Sequence, residues 1–159
     1  MKNIFFTCCI LVTSLIVKAQ SSDDINLVQS LWGMEKKAIV EEYMDLSAEE
    51  ESLFWTEYDV YETSRKELGK ERIAIINAYV ENFESLSDEK ATELMNKAIA
   101  NNIAIQKLAK KTFKKLSKSI SPVKAAQFIQ LENYFIISIQ MYLQENLPFI
   151  GELENLMED

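Results

Sequence analysis

The sequence predicts an all-α fold, an elongated antiparallel helical hairpin or bundle of about four helices with coiled-coil-like seams. Two observations lead to this prediction. The 159 residues include only three glycines and two prolines, too few for the many tight turns of a β-sandwich or barrel. Apolar residues also recur at helical spacing along most of the chain. A composition of 48% hydrophobic and 26% charged residues is typical of one globular domain.

The first 19 residues have the pattern of a secretory signal peptide. Lys2 is followed by an apolar stretch over residues 4–17, and Ala19 marks a cleavage site. The stretch is shorter than the about 20 apolar residues of a spanning helix, so we expect cleavage rather than the alternative, an N-terminal membrane anchor. We therefore expect a soluble protein, periplasmic or otherwise exported, without a stable membrane span. The predicted organisation is a signal peptide over 1–19, a helical domain over 20–148 and an acidic tail over 149–159.

Cleavage would remove much reactive chemistry from the chain. Cys8 and Cys9 would leave with the leader, and the sequence contains no His. The mature chain would then lack a disulfide, a thiol nucleophile, and the commonest general base and metal ligand. Its 15 basic and 25 acidic residues give a net charge of −10, which disfavours nucleic acid as a partner. We therefore predict a protein that is not an enzyme and uses no cofactor or metal.

Three helix starts divide the mature chain. Ser47 and Glu50 have the spacing of a capping box. Ser87 precedes acidic residues that the helix dipole favours in a first turn. Ser121 precedes Pro122, which is well tolerated at the first helical position. These signals predict helices over residues 25–45, 48–84, 88–119 and 122–147. The second would be about 55 Å long, hence the elongated shape.

The predicted helices carry stripes with a repeat of 3.5 residues, which is typical of left-handed coiled-coil packing. In the second helix the stripe positions alternate in steps of four and three. They are Phe54, Tyr58, Tyr61, Arg65, Leu68, Arg72, Ile75 and Tyr79. The third helix repeats similarly, at Leu94, Ala98, Ile105, Leu108, Thr112 and Leu116. The fourth does so at Ala125, Phe128, Glu132, Phe135, Ile139 and Tyr142. We interpret these stripes as core.

Three charged residues interrupt the stripes. Arg65 and Arg72 are the only arginines and lie two turns apart, and Glu132 lies between two phenylalanines. Because an unpaired buried charge is costly, we hypothesise a structural ion pair between Glu132 and either arginine, which would fix the register of the helices. One alternative is that all three point outward at the stripe edge, and another is that they bind an anionic ligand.

Charge is also unevenly distributed along the third helix. Six lysines crowd its second half, at Lys107, Lys110, Lys111, Lys114, Lys115 and Lys118. Acidic residues crowd the start of the second helix, at Glu49, Glu50, Glu51, Glu57, Asp59 and Glu62. Antiparallel packing would place the two runs side by side, which favours intramolecular complementarity. A lysine surface for a partner protein is the alternative, and its binding would weaken with salt.

Two segments carry a resemblance to a known family. Leu46-Ser47-Ala48-Glu49-Glu50 and Leu86-Ser87-Asp88-Glu89-Lys90, 40 residues apart, are similar to the Leu-Thr-x-x-Gln motif at helix starts of Spy/CpxP-type periplasmic proteins. Ser replaces Thr in both, and Glu50 or Lys90 replaces Gln. The run from Phe54-Trp55 through Tyr58 and Tyr61 to Arg65, and the run Ser121-Pro122-x-Lys124-Ala125-Ala126-x-Phe128-Ile129-Gln130-Leu131-Glu132-Asn133, resemble a group that includes proteins labelled sensors of ECF-type sigma factors.

The resemblance implies a helical periplasmic protein that binds non-native polypeptides or reports envelope stress without ATP, often as a homodimer. The metal-sensing relatives use His and carboxylates, so the lack of His speaks against that activity here. The alternative is a structural or interaction module that docks to one membrane-associated partner. Its candidate anchors are aromatic residues, because aromatics dominate hot spots, although the same residues are typical core material. They are Trp32, Trp55, Tyr58 and Tyr61.

Overall fold

The sparse turn residues and the three serine caps lead to a chain of consecutive helices. The computed structural model describes residues 35–148, and within that range every regular element is helical. This confirms the predicted all-α fold. The signal peptide, Trp32 and the acidic tail lie outside the described residues. The helices are α1 over the described residues 35–44, α2 (Ala48–Asn82), α3 (Asp88–Ser119) and α4 (Pro122–Asn146), with a short 3-10 turn at Phe83–Ser85.

All three predicted helix caps are present. The backbone N–H of Ser47 donates to the carboxylate of Glu50 at 3.0 Å. Hydrogen bonding to Ser47, first of all by this N–H, lowers the pKa of Glu50. The hydroxyls of Ser87 and Ser121 each accept from the backbone N–H three residues ahead, at 3.2 Å and 3.1 Å. Each cap satisfies a helix-terminal N–H that lacks an intrahelical partner.

The turn between α1 and α2 is closed by a lysine from α4. Asp45 adopts a positive φ of 45°, a conformation that Asp tolerates better than most residues. The ammonium of Lys124 donates to the carbonyl oxygens of Met44 and Asp45, at 2.5 Å and 2.9 Å. These contacts satisfy carbonyls that the end of α1 leaves open and fasten the turn to α4.

Each of the helices α2, α3 and α4 packs antiparallel to the one before it. Contacts from Glu57 to Lys115 and from Leu68 to Asn101 fix the first pair. The core lies at the end that α1 covers, which we call the proximal end. There, buried aromatic rings meet edge to face, with ring centroids 5.3 Å apart for Phe54 and Phe128. The remaining buried apolar residues of this cluster are Val40, Met44, Tyr58, Tyr61, Leu116, Ala125 and Phe135.

The predicted α4 stripe is buried only over its first half. Phe128 and Phe135 are buried, whereas Ile139 and Tyr142 are 40% and 66% exposed. The expectation of a continuous core stripe was therefore wrong for the second half of α4. Within residues 35–148, α1 reaches only the proximal end, and the described helices beside the seam at the other, distal end are α2, α3 and α4. There the hydroxyl of Tyr79 donates to the carbonyl of Pro148 at 2.7 Å.

Candidate functional site

A cluster of buried charged side chains joins α1, α2 and α4. Lys36, Glu62 and Glu132 are each at least nine-tenths buried. The ammonium of Lys36 lies 2.7 Å and 2.8 Å from the two carboxylate oxygens of Glu132 and also donates to Glu62. One side chain of α1 therefore bridges carboxylates from two other helices.

A second layer of contacts surrounds this cluster. The hydroxyl of Tyr61 donates to Glu132 at 2.7 Å. The guanidinium of Arg65 donates to both oxygens of Glu62, at 3.0 Å and 3.2 Å. The Lys36 ammonium also lies 5.5 Å from the centroid of the Tyr61 ring, within range of a cation–π interaction. Two cations thus face two carboxylates, and the cluster is neutral when all four groups are ionised.

The two carboxyl groups respond differently to this environment. Burial raises the pKa of Glu132, and the opposing effects of Lys36 and Tyr61 offset it only in part. Burial also disfavours ionisation of Glu62, but Lys36 and Arg65 outweigh that effect and lower its pKa. Burial, together with the charge of Glu132, raises the pKa of Tyr61, so its hydroxyl stays protonated and donates.

The predicted partner of Glu132 was wrong. Glu132 is in a buried ion pair, but its partner is Lys36, whereas Arg65 pairs with Glu62 three residues earlier in α2. Arg72 has no carboxylate within 4 Å among residues 35–148. Both arginines of the α2 stripe are partly buried, as the stripe predicted. Arg65, however, pairs with Glu62, which lies one turn earlier on the same helix. The missed signal was the spacing of Lys36, Val40 and Met44, which places all three on one face of α1.

The cluster fits a structural role better than a chemical one. Its hydrogen bonds join groups of the protein to one another, and the described part of the chain offers no group of His, Cys, Asp and Glu side chains arranged to hold a metal. Such a network fixes which helix faces meet, while the cost of desolvation offsets much of the attraction between charges. It therefore sets register and holds α1 in place.

The opposite pKa directions give a prediction for pH dependence. Because the pKa of Glu132 in the folded protein lies above 4.5, the folded state binds its proton more tightly than the unfolded state. Its contribution to stability is therefore fully present below 4.5 and falls as pH rises through the raised pKa. The free energy of unfolding of wild type, minus that of Glu132→Gln, should fall over this window. Urea unfolding between pH 4 and 8 measures it, and a rising difference would contradict the raised pKa.

The predicted lysine surface is exposed, and one of its members meets the acidic run. Lys115 pairs with Glu57 at 2.8 Å across α3 and α2. All six lysines are exposed, and the other five make no ion pair within 4 Å with any described residue. Intramolecular complementarity thus accounts for one lysine in the structure. The five remaining charges face solvent along α3.

The candidate aromatic anchors divide between core and surface. Tyr58 and Tyr61 are buried, which agrees with their interpretation as core. Trp55 is partly buried against Phe54, and the ammonium of Lys37 lies 4.7 Å from its ring centroid. Sequence reasoning missed three exposed large apolar residues in the middle and second half of α4, namely Tyr134, Ile137 and Met141, which are 61–66% exposed. Tyr142, which the stripe predicted as core, is 66% exposed beside them.

A groove of about 470 Å³ runs between α3 and α4 beside these exposed residues. We call it the α3/α4 groove. It is lined by Asn102, Ile105, Gln106, Asn133, Ile136, Ile137 and Gln140. An adjoining depression of about 310 Å³ shares Asn102 and Gln106 with it and adds Ile103, Lys107 and Lys110. The surface therefore combines apolar side chains, four amides and two cations of the lysine run.

A second opening, which we call the distal cleft, lies where α2, α3 and α4 meet at the distal end. It measures about 320 Å³. Asn102 and Gln140 line both this cleft and the α3/α4 groove, so the two lie side by side. The other lining residues are Arg72, Ile75, Ile76, Ala98, Asn101, Leu143 and Leu147.

The fold and these sites define the chain as an all-α helical bundle with a buried ion cluster and an open groove. No described helix has the length and apolar character needed to cross a membrane. Comparison of the chain with protein-family models, with curated proteins and with solved structures gives no match. The resemblance to Spy/CpxP-type proteins therefore stays a prediction from the residues quoted above.

Proposed function

We propose that the protein is a non-enzymatic, exported helical protein that binds extended polypeptide segments along the α3/α4 groove. The observation that carries the proposal is the lining of the groove, in which isoleucines alternate with side-chain amides. Periplasmic export is supported by the leader pattern. The chaperone or envelope-stress role is supported by the Spy/CpxP-type resemblance, which implies polypeptide clients.

The amides suit a polypeptide backbone. Asn102, Gln106, Asn133 and Gln140 make no side-chain hydrogen bond to any residue between 35 and 148. Each side-chain amide offers donors and an acceptor, and an extended backbone presents the complementary groups at regular intervals. The exposed Ile137 and Ile103 then supply apolar contact for the side chains of the segment.

The charge beside the groove selects among polypeptides. Lys107 and Lys110 line the adjoining depression and lack a carboxylate partner within the described chain. The mature chain carries a net charge of −10 overall, but these lysines make the surface beside the groove locally positive. This surface favours bound segments in which acidic side chains lie near apolar ones. Such attraction is screened by salt, so binding should weaken as ionic strength rises.

A single docking partner is the second candidate, and one observation favours it. Tyr134 and Met141 lie seven residues apart on α4, about two turns, and both are largely exposed. A pair of large apolar side chains on one helix face suits a fixed partner, because exposed apolar patches mark interaction sites. A membrane-associated protein, or a second copy of this chain, would then occupy α4 permanently.

The proposal is tested with a labelled peptide of alternating leucine and glutamate, acetylated and amidated at its ends. We expect saturable binding in fluorescence anisotropy. Ile103→Asn combined with Ile137→Asn should weaken it about tenfold or more, because both apolar contacts are lost. The matched control is Leu53→Asn, which changes a similarly exposed residue of α2 and should leave binding unchanged.

The same samples separate a chaperone from a fixed docking module. A chaperone should also suppress aggregation of an unrelated denatured protein, and the double variant should lose that effect. Absence of peptide binding at millimolar protein would overturn the proposal. Binding that Leu53→Asn weakens as strongly as the double variant would place the contact outside the groove.

A further inference from the structure

We propose that the distal cleft binds the carboxylate end of a polypeptide, with the terminal carboxylate on Arg72, the terminal amide N–H on Asn101 and an apolar terminal side chain between Ile75 and Leu143. This inference rests on the proposed function, because it names the part of a polypeptide that the cleft beside the groove binds.

The first observation is an unpartnered acceptor in a buried side chain. Asn101 is only 2% exposed and lines the cleft. Its amide nitrogen donates to the carbonyl of Leu68 at 2.9 Å and to the carboxylate of Glu71 at 3.0 Å. Both partners are acceptors, so the nitrogen must face α2 and the oxygen must point away from it. That oxygen is buried and accepts no hydrogen bond from the residues that the structure describes, a costly state that a ligand N–H reaching it through the wall of the cleft would relieve.

The second observation is a cation without a counter-ion. Arg72 lines the same cleft and makes no ion pair within 4 Å inside the described range. Partial burial makes the environment unfavourable for its charge and lowers the pKa of the guanidinium, although arginine keeps its proton in proteins. The other arginine, Arg65, shows the contrast, because two hydrogen bonds join it to Glu62. A carboxylate is the group that a guanidinium fork binds best.

The third observation is the shape and composition of the cleft. Its volume of about 320 Å³ lies at the small end of ligand pockets, which range over about 300–1,000 Å³. Ile75, Ile76 and Leu143 provide apolar walls beside the two polar groups. A carboxylate, an adjacent amide N–H and an apolar side chain occur together at the C-terminal residue of a polypeptide.

The occupant follows from the polar groups of the cleft and from its position beside the α3/α4 groove. Asn102 and Gln140 line both, so a polypeptide whose end lies in the cleft would pass these two residues to reach the groove. A free carboxylic acid without a peptide amide would satisfy Arg72 but leave the Asn101 oxygen unpartnered. An internal peptide segment would satisfy Asn101 but leave Arg72 without a counter-ion.

The test uses small probes that fill the cleft alone. N-acetyl-leucine carries the carboxylate, the amide N–H and the apolar side chain, whereas N-acetyl-leucinamide replaces the carboxylate with a neutral amide. In an NMR titration of the purified protein, we expect saturable shifts of the Asn101 and Arg72 side-chain signals with N-acetyl-leucine, and at least tenfold weaker binding of the amide. Arg72→Gln should abolish this preference, while Lys70→Gln, which removes an exposed cation two residues away, should retain it.

Equal binding of the two probes, or no binding of either at high millimolar concentration, would overturn the inference. Circular dichroism checks that Arg72→Gln remains helical, and the comparison of the two probes on wild type needs no variant. The amidated peptide described above reports on the groove independently. If that peptide binds but the probes show no preference, only the cleft assignment fails. If the probes show the preference but the peptide does not bind, the proposed groove function fails instead.

Discussion

Replacement of Lys36 with methionine should lower the free energy of unfolding by about 3–5 kcal/mol, the range for removal of one partner from a buried ion pair. The variant leaves Glu132 with only a tyrosine hydroxyl as donor and places two buried carboxylates near each other without the shared cation. Methionine has a similar length and apolar stem, so the loss reports the charge rather than a cavity. Urea unfolding at pH 7 measures the change.

A double variant distinguishes the energetic effect of the ion pair from that of the other contacts of α1. Lys36→Met with Glu132→Gln removes both charges, keeps an acceptor for the Tyr61 hydroxyl, and leaves Glu62 paired with Arg65. The double variant should therefore be less destabilised than the sum of the single variants, because residues in contact are energetically coupled. The control is Lys37→Met, an exposed neighbour over Trp55, which should cost about 1 kcal/mol or less. Additive single effects would show that the pair is not coupled.

Phe128→Ala alone should lower the free energy of unfolding by about 3–5 kcal/mol, as expected for truncation of a fully buried phenylalanine. Phe128 is completely buried and lies at the centre of the aromatic cluster. Its ring centroid is 5.3 Å from that of Phe54, 5.9 Å from that of Tyr58 and 5.4 Å from that of Tyr61. Alanine would therefore leave a cavity and remove three edge-to-face contacts that join α4 to α2.

The control for this variant is Tyr134→Ala on the same helix. Tyr134 is a comparable ring but is 66% exposed, so its truncation should cost much less, on the order of 1 kcal/mol or below. Both variants are compared by urea unfolding under the same conditions. Similar losses for the two would mean that the core does not centre on Phe128.

The structural features that depend on residues close together in the sequence, such as helix caps and apolar stripes, were predictable from the sequence. Ser47, Ser87 and Ser121 start their helices as expected, because a cap involves only the backbone N–H groups of the next turn. The burial of Phe54, Tyr58 and Tyr61 followed from their stripe. The second helix was expected to continue to residue 84, whereas α2 ends at Asn82 and a 3-10 turn follows. Such small differences at helix ends are common because helix termini fray.

The candidate sites depended on contacts between distant residues and were harder to predict. Lys36 and Glu132 are 96 residues apart, and nothing local marks them as partners. The choice between Lys36 and an arginine depends on how α1 lies over α2 and α4. Asn101 lies between Ala98 and Ile105 at the expected stripe spacing. Because its side chain is polar, the apolar pattern did not predict its burial. The groove and the cleft depend on how α2, α3 and α4 pack against one another, which a stripe pattern does not encode.

The unequal burial along the bundle also implies unequal local stability. At the proximal end, opening α2 or α4 would break the ring cluster, and opening α1, α2 or α4 would break the buried ion cluster, so we expect cooperative unfolding of these three helices. At the distal end, large apolar side chains such as Met141 already contact solvent, and a local opening exposes little more. Distal segments of this kind open at low free energy. A ligand that orders them would reduce hydrogen exchange near the groove while leaving the proximal helices as slow as before.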